Sequence, residues 1–173
     1  MCDDVKKIFI VDKDFTQIKM IEKNFPGCTV ILCQFHTLKY MRNLIATAVT
    51  VVETKTKLFE QFKRIVYAHN EETFESESKK FIEESSEIMI RMNNTYQLLH
   101  HYYAKNWESC KKMWVKCFRK HLPILGDNTT NRVERTFWML KKSLPATFRG
   151  LPDTATSIIS RSEIKGEVRL HCK

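Results

Sequence analysis

Lys7-Ile8-Phe9-Ile10-Val11-Asp12-Lys13-Asp14 is a short β-branched and aromatic run that ends in aspartates. Such a run reads as a buried strand, here over about 7–11. Asp14 and Gln17 stand at N-cap and N3 spacing, and Ile18, Ile21 and Phe25 give the helix after them an apolar face. Asn24-Phe25-Pro26-Gly27 stops that helix. Cys28-Thr29-Val30-Ile31-Leu32-Cys33 then supplies a second strand, over about 29–33. A strand, one helix and another strand make a right-handed unit whose strands run parallel. In that unit Asp12 and the end of the second strand share one edge of the sheet, where α/β proteins place catalytic and ligand groups. The plainer alternative for Asp12 is a turn aspartate bonded to nearby backbone amides.

Composition bounds the remaining choices. The 173 residues suit one domain, or one domain and a tail, and 43% hydrophobic with 28% charged residues fits a folded chain. Four Gly and four Pro are too few for an all-β sandwich or barrel. The absence of an eighteen-residue apolar run predicts no membrane span, and Met1-Cys2-Asp3-Asp4-Val5-Lys6-Lys7 does not read as a secretory signal. A nuclear or cytoplasmic, not secreted, protein is expected, with its six cysteines as reduced thiols. The net charge of +9 is unevenly spread: eleven basic residues face three acidic ones over 99–149, whereas three face seven over 71–98. A basic excess of that kind points to a polyanion, most simply nucleic acid, although any one cluster also suits a solvated helix face.

Gln34-Phe35-His36 opens a long helix marked by Leu38, Met41, Leu44, Ile45 and Ala48. Cys33 and His36 could form half of a zinc site, but no further ligands follow at a regular spacing. Cys28 lies an odd number of residues before Cys33, which puts the two side chains on opposite faces of the strand. Cys33 and His36 are therefore read as a packed thiol and a hydrogen-bonded imidazole, and zinc is not expected. From about Thr37 to Leu122 helices alone are predicted. Leu58, Phe62, Ile65 and Val66 mark one; Phe74, Phe81 and Ile82 a charged second; Met89, Met92, Tyr96, Leu99, Tyr102 and Tyr103 a third. Trp107, Cys110, Trp114, Cys117 and Phe118 have the spacing of a fourth, with Cys110, Cys117 and His121 on it. Its aromatics read as core, with base stacking as the functional alternative.

Asp127-Asn128-Thr129-Thr130-Asn131-Arg132-Val133-Glu134 is a polar turn entering another amphipathic helix. Asn131 and Glu134 have capping-box spacing, so Glu134 either caps that helix or is a fixed acid in its first turn. A strand-end Asp12 and a helical Glu134 could share Mg²⁺ or Mn²⁺, the ions of phosphodiester cleavage and strand transfer. Such sites generally use at least three carboxylates, and Asp127 or Asp14 are the candidates for the third.

These motifs, in this order, resemble the RNase H-like domain of Mutator-like transposases, and most closely its transposon-derived form in animal SWIM zinc-finger proteins of the one and three subgroup. The match runs through Val11-Asp12-Lys13-Asp14-Phe15, Phe25-Pro26, Ile31-Leu32-Cys33-Gln34-Phe35-His36 with Lys39-Tyr40, then Trp107, Trp114 and Thr130-Asn131-Arg132-Val133-Glu134. It covers roughly 5–145. The resemblance implies that Asp12 and Glu134 are the second and third acids of an Asp-Asp-Glu triad and its Mg²⁺ ligands if active. It also implies that Cys33 and His36 are the family's Cys-x-x-His motif and that about 37–125 is its all-helical insertion. The strand carrying the first acid has no counterpart among the eleven residues before Asp12, and the SWIM zinc motif is missing. The expectation is thus an α/β, predominantly helical remnant of an RNase H-like fold: a partial domain over 5–145 with two parallel strands, then a weakly structured tail over 146–173.

The function expected is a domesticated, transposase-derived, non-catalytic DNA-binding domain. Lys111, Lys112, Lys116, Arg119, Lys120, Arg132, Arg135, Lys141 and Lys142 are its phosphate-contact candidates. Two alternatives stand beside it: a metal-dependent nuclease or strand transferase that borrows its third acid, and a helical protein-interaction module. Open edges on a two-stranded sheet would also invite a protein partner or a second copy.

Overall fold

A computed structural model describes residues 7–124, 129–131, 134–136 and 138–139. The chain divides into two units, Met1–Thr130 and Asn131–Lys173. The first unit opens with β1 (Ile8–Val11), α1 (Phe15–Asn24), β2 (Thr29–Leu32) and α2 (Gln34–Ala48). β1 and β2 are parallel, with Ile8 opposite Thr29 and Val11 opposite Leu32. The class is α/β and mostly helical, as the sequence predicts.

Local signals explain this opening. Asp14 is the N-cap of α1, its carboxylate accepting from the backbone N–H groups of Thr16 at 2.8 Å and Gln17 at 3.2 Å. At the other end Gly27 takes φ +79°, a left-handed turn that glycine adopts without strain. Replacing Asp14 by alanine removes the cap and should lower stability by about 1 kcal/mol, as thermal or denaturant unfolding would show.

The helical middle follows as α3 (Val52–Val66) and α4 (Glu71–Glu84). Leu58, Phe62, Ile65 and Val66 of α3 and Phe74 and Phe81 of α4 are buried. Between these helices the Gln61 amide donates to the Glu77 carboxylate at 2.7 Å and to the Glu77 carbonyl at 3.0 Å.

Two expectations for this region are corrected. Residues 89–98 are not the start of a helix but an antiparallel hairpin, β3 (Met89–Met92) and β4 (Thr95–Leu98). Asn93 and Asn94 form its two-residue turn with φ of 48° and 64°. A two-residue hairpin turn of type I′ needs positive φ at both central residues, and asparagine tolerates it. Met89, Met92, Tyr96 and Leu99 happen to recur three or four apart, which imitates a helix. The strand parity shows instead in Ile90, which is buried between the exposed Met89 and Arg91.

The second correction concerns Trp107–Phe118. After α5 (Leu99–Asn106) the chain forms two 3-10 helices, Glu108–Met113 and Lys116–Arg119, separated by Trp114 and Val115. Cys110, Cys117 and His121 are therefore not on one helix. The break suits the side chains, because Trp107 and Trp114 both turn fully inward and the Trp114 indole N–H donates to the Trp107 carbonyl at 2.9 Å. Trp107, Trp114, Tyr103, Phe62 and Phe81 form one aromatic cluster, so the stripe is core.

β2 carries its bonds to β1 on odd-numbered residues: Thr29 donates to the Lys7 carbonyl and Cys33 to the Val11 carbonyl, each at 2.8 Å. The Leu32 carbonyl consequently points to the outer edge, where the buried Arg119 guanidinium donates to it at 3.3 Å. Arg119 thus supplies a donor where a neighbouring strand would. Among the described residues the opposite edge of β1 has no partner strand. No helix among the described residues is long and apolar enough to cross a membrane.

Candidate functional site

Asp12 follows β1 directly and Cys33 follows β2 directly, so the parallel register sets them side by side. His36 lies in the first turn of α2 and folds back over the strand ends. Its Nδ1 meets Asp12 Oδ1 at 2.7 Å, with about a quarter of the His36 side chain and 56% of the Asp12 side chain exposed. Cys33 is fully buried beneath them. One candidate ligand atom each from Asp12, Cys33 and His36 lies within 4.8 Å of the others. Thr130 completes the group: its backbone N–H approaches Cys33 Sγ at 3.3 Å, and its hydroxyl reaches the same sulfur and His36 Nδ1 at 3.4 Å each.

Beside this group lies an open cavity of about 510 Å³. Asp12 and His36 stand on its wall with Lys13 and Lys39, and Tyr40, Tyr102 and Trp107 give it an aromatic lining. The Tyr40 and Tyr102 hydroxyls share a hydrogen bond at 2.5 Å. Burial, and then that bond, push the Tyr102 phenol upward, so it stays a neutral hydroxyl. Lys13 Nζ sits 4.3 Å from the Trp107 ring centroid, and burial lowers its pKa. The Trp107 indole N–H is itself buried and finds no hydrogen-bond acceptor of good geometry. Asn43 and Asn106 add amides.

No protein-family model, curated protein or solved structure matches the chain. The residues and their geometry are thus the ground for function.

The sequence-derived site residues fall into three groups. Asp12, Cys33 and His36 come together. Lys112 and Lys116 are exposed; Lys111 is half-buried with Nζ 4.9 Å from the Phe74 centroid; Lys120 donates to the His69 carbonyl. Arg119 is the exception. It is 2% exposed and spends a donor on Leu32, and burial pushes its pKa down to about 10. Arg119 still carries its charge at neutral pH, but inside the fold and not at the phosphate-contacting surface expected of it. Glu134 and Arg135 are helical and exposed in the second unit. Asn131 is already helical there, one residue further in than a capping box counted from it requires. Asp127, Arg132, Lys141, Lys142 and the 146–173 tail lie outside the described residues.

Sequence reasoning missed Lys13, Tyr40, Tyr102, Trp107 and Thr130 as parts of the site. Lys13 and Tyr40 sit within motifs already singled out, next to Asp12 and one turn beyond His36. Thr130 also lies in a motif already singled out, and Tyr102 and Trp107 in aromatic stripes read as core; only tertiary packing brings these three to the Asp12 edge.

Proposed function

We propose that this chain is a transposase-derived nucleic-acid-binding domain of the RNase H-like type that does not cleave on its own. The observation that carries the reading is the composition of the Asp12 edge. A carboxylate at the end of a parallel strand faces a cavity that also holds two lysines and the aromatic rings of Phe15, Tyr40, Tyr102 and Trp107. Lysine ammonium groups suit phosphates, and rings suit stacked bases. The order of the Asp12, Cys33-x-x-His36 and Glu134 motifs supports the same family.

Cleavage is disfavoured by what the neighbouring acids do. Asp14, one candidate for the third carboxylate, is committed to two backbone N–H groups of α1. Asp12 itself is engaged by His36.

The test is binding of the full-length chain to a labelled DNA duplex and single strand across a salt series, with and without Mg²⁺. Affinity should fall steeply as salt rises, since each neutralised phosphate releases counterions. DNA should remain intact in Mg²⁺ or Mn²⁺. Absence of binding at low salt would overturn the reading, and nicking that disappears in Asp12→Ala would replace it with the nuclease.

A further inference from the structure

We infer that Asp12, Cys33 and His36 form a binding site for a borderline-soft divalent metal ion of the zinc class. A sulfur, an imidazole nitrogen and a carboxylate oxygen suit Zn²⁺ or Co²⁺, whereas Mg²⁺ demands an all-oxygen octahedron. From spacing alone Cys33 and His36 lack further ligands. The fold supplies one, because the β1–β2 register delivers Asp12 from outside the motif.

Geometry permits the ion. Zinc bonds of about 2.0–2.3 Å at tetrahedral angles separate ligand atoms by roughly 3.3–3.7 Å. The trio, within 4.8 Å overall, needs a contraction of about 1 Å at most, and the 2.7 Å His36–Asp12 pair must widen by a little less. Asp12 is the exposed member and can turn to open its pair with His36. The metal takes the place of the proton that now lies between His36 Nδ1 and Asp12 Oδ1. In the neutral ring that proton moves to Nε2, and the Cys33 thiol releases its own to solvent.

The surroundings of Cys33 point the same way independently. A thiol sulfur is a weak acceptor, yet the Thr130 N–H and hydroxyl both converge on it. Arg119, which donates to the Leu32 carbonyl one residue before Cys33, adds a buried positive charge close by. Two donors and a cation around a buried sulfur form the outer shell expected of a metal-bound thiolate. Asp12 and His36 also border the open cavity, which provides an entry route and room for a fourth ligand such as water.

An ion held here would tie the ends of both strands to α2. It would also withdraw Asp12 from any Mg²⁺ clamp. Metal binding is measured without nucleic acid, so the inference fails or succeeds separately from the proposed function.

The test is Co²⁺ titration of the reduced, metal-stripped full chain, read by absorption. One equivalent should produce a near-ultraviolet sulfur-to-cobalt charge-transfer band and tetrahedral visible bands, and Zn²⁺ should bleach both. The band should vanish in Cys33→Ser and persist in Cys117→Ser. Because Cys33 is fully buried, a second variant guards against misfolding: Asp12→Asn, at an exposed side chain, should keep the native circular dichroism and lower Co²⁺ affinity at least about tenfold. A wild-type chain without the band, a band that survives in Cys33→Ser, or unchanged affinity in Asp12→Asn would each overturn the site.

Discussion

Replacing Phe62 by alanine should destabilise the fold by about 3–5 kcal/mol. Phe62 is fully buried on α3 and packs against four aromatic side chains. Its ring stacks on Trp114 at 5.4 Å and meets Phe81 at 5.9 Å, Trp107 at 6.1 Å and Tyr103 at 6.4 Å. These partners come from α4, α5 and the two ends of the first 3-10 helix, so a void at Phe62 loosens the packing of all three against α3. Large, rigid rings cannot slump into that void, which places the loss toward the upper part of the range. A domain stability of about 5–15 kcal/mol makes this a severe change. Urea unfolding should show a lower midpoint with an unchanged slope. A loss below about 1.5 kcal/mol would mean that the rings do not form one packed cluster.

The same cluster shows which parts of the fold were legible. β1, α1, β2 and α2 could be placed within a residue or two because each is announced locally: a β-branched run, an aspartate cap, a Pro-Gly stop. Parallel pairing of the strands, and hence the shared edge of Asp12 and Cys33, also followed from the short helical connection. Residues 89–98 were illegible for a specific reason. A four-residue strand gives only two inward positions, and Ile90 alone cannot outvote a chance helical spacing of methionine and tyrosine. In Trp107–Phe118 the three-to-four periodicity correctly marked buried residues but not the backbone, since 3-10 turns repeat at a similar interval.

At the site the limit was different. Motif order and residue type pair Asp12 with Glu134 and leave His36 as a bonded imidazole without naming its partner. His36 bonds to Asp12 itself, which is visible only once α2 folds back over the strand ends. Arg119 shows the converse error. It belongs to a basic cluster by sequence, yet the outer edge of β2 needed a donor and drew it inside. Charge counted along a chain reports composition; whether a given guanidinium meets solvent depends on backbone groups far away in sequence.

The nucleic-acid reading is most exposed to test at Lys13 and Lys39. Substituting both by glutamine should lower the slope of log affinity against log salt by about 2, close to one unit for each phosphate no longer neutralised. Substituting the exposed pair Lys112 and Lys116 in the same way tests whether bound phosphates extend along the basic segment. Lys13 is the more informative of the two cavity lysines. Burial lowers its pKa from the ordinary 10.5, because its ammonium is partly desolvated over the Trp107 ring. A bound phosphate favours the charged form and raises that pKa again. By linkage, the contribution of Lys13 to affinity is fully present below the lowered pKa of the free protein and is lost as pH rises through the pKa of the complex. Wild-type binding should therefore weaken on the alkaline side before the Lys13→Gln variant changes at all. If the double variant keeps the full salt slope, the cavity is not where phosphates bind. The exposed Lys112 and Lys116 would then be the phosphate contacts to test next.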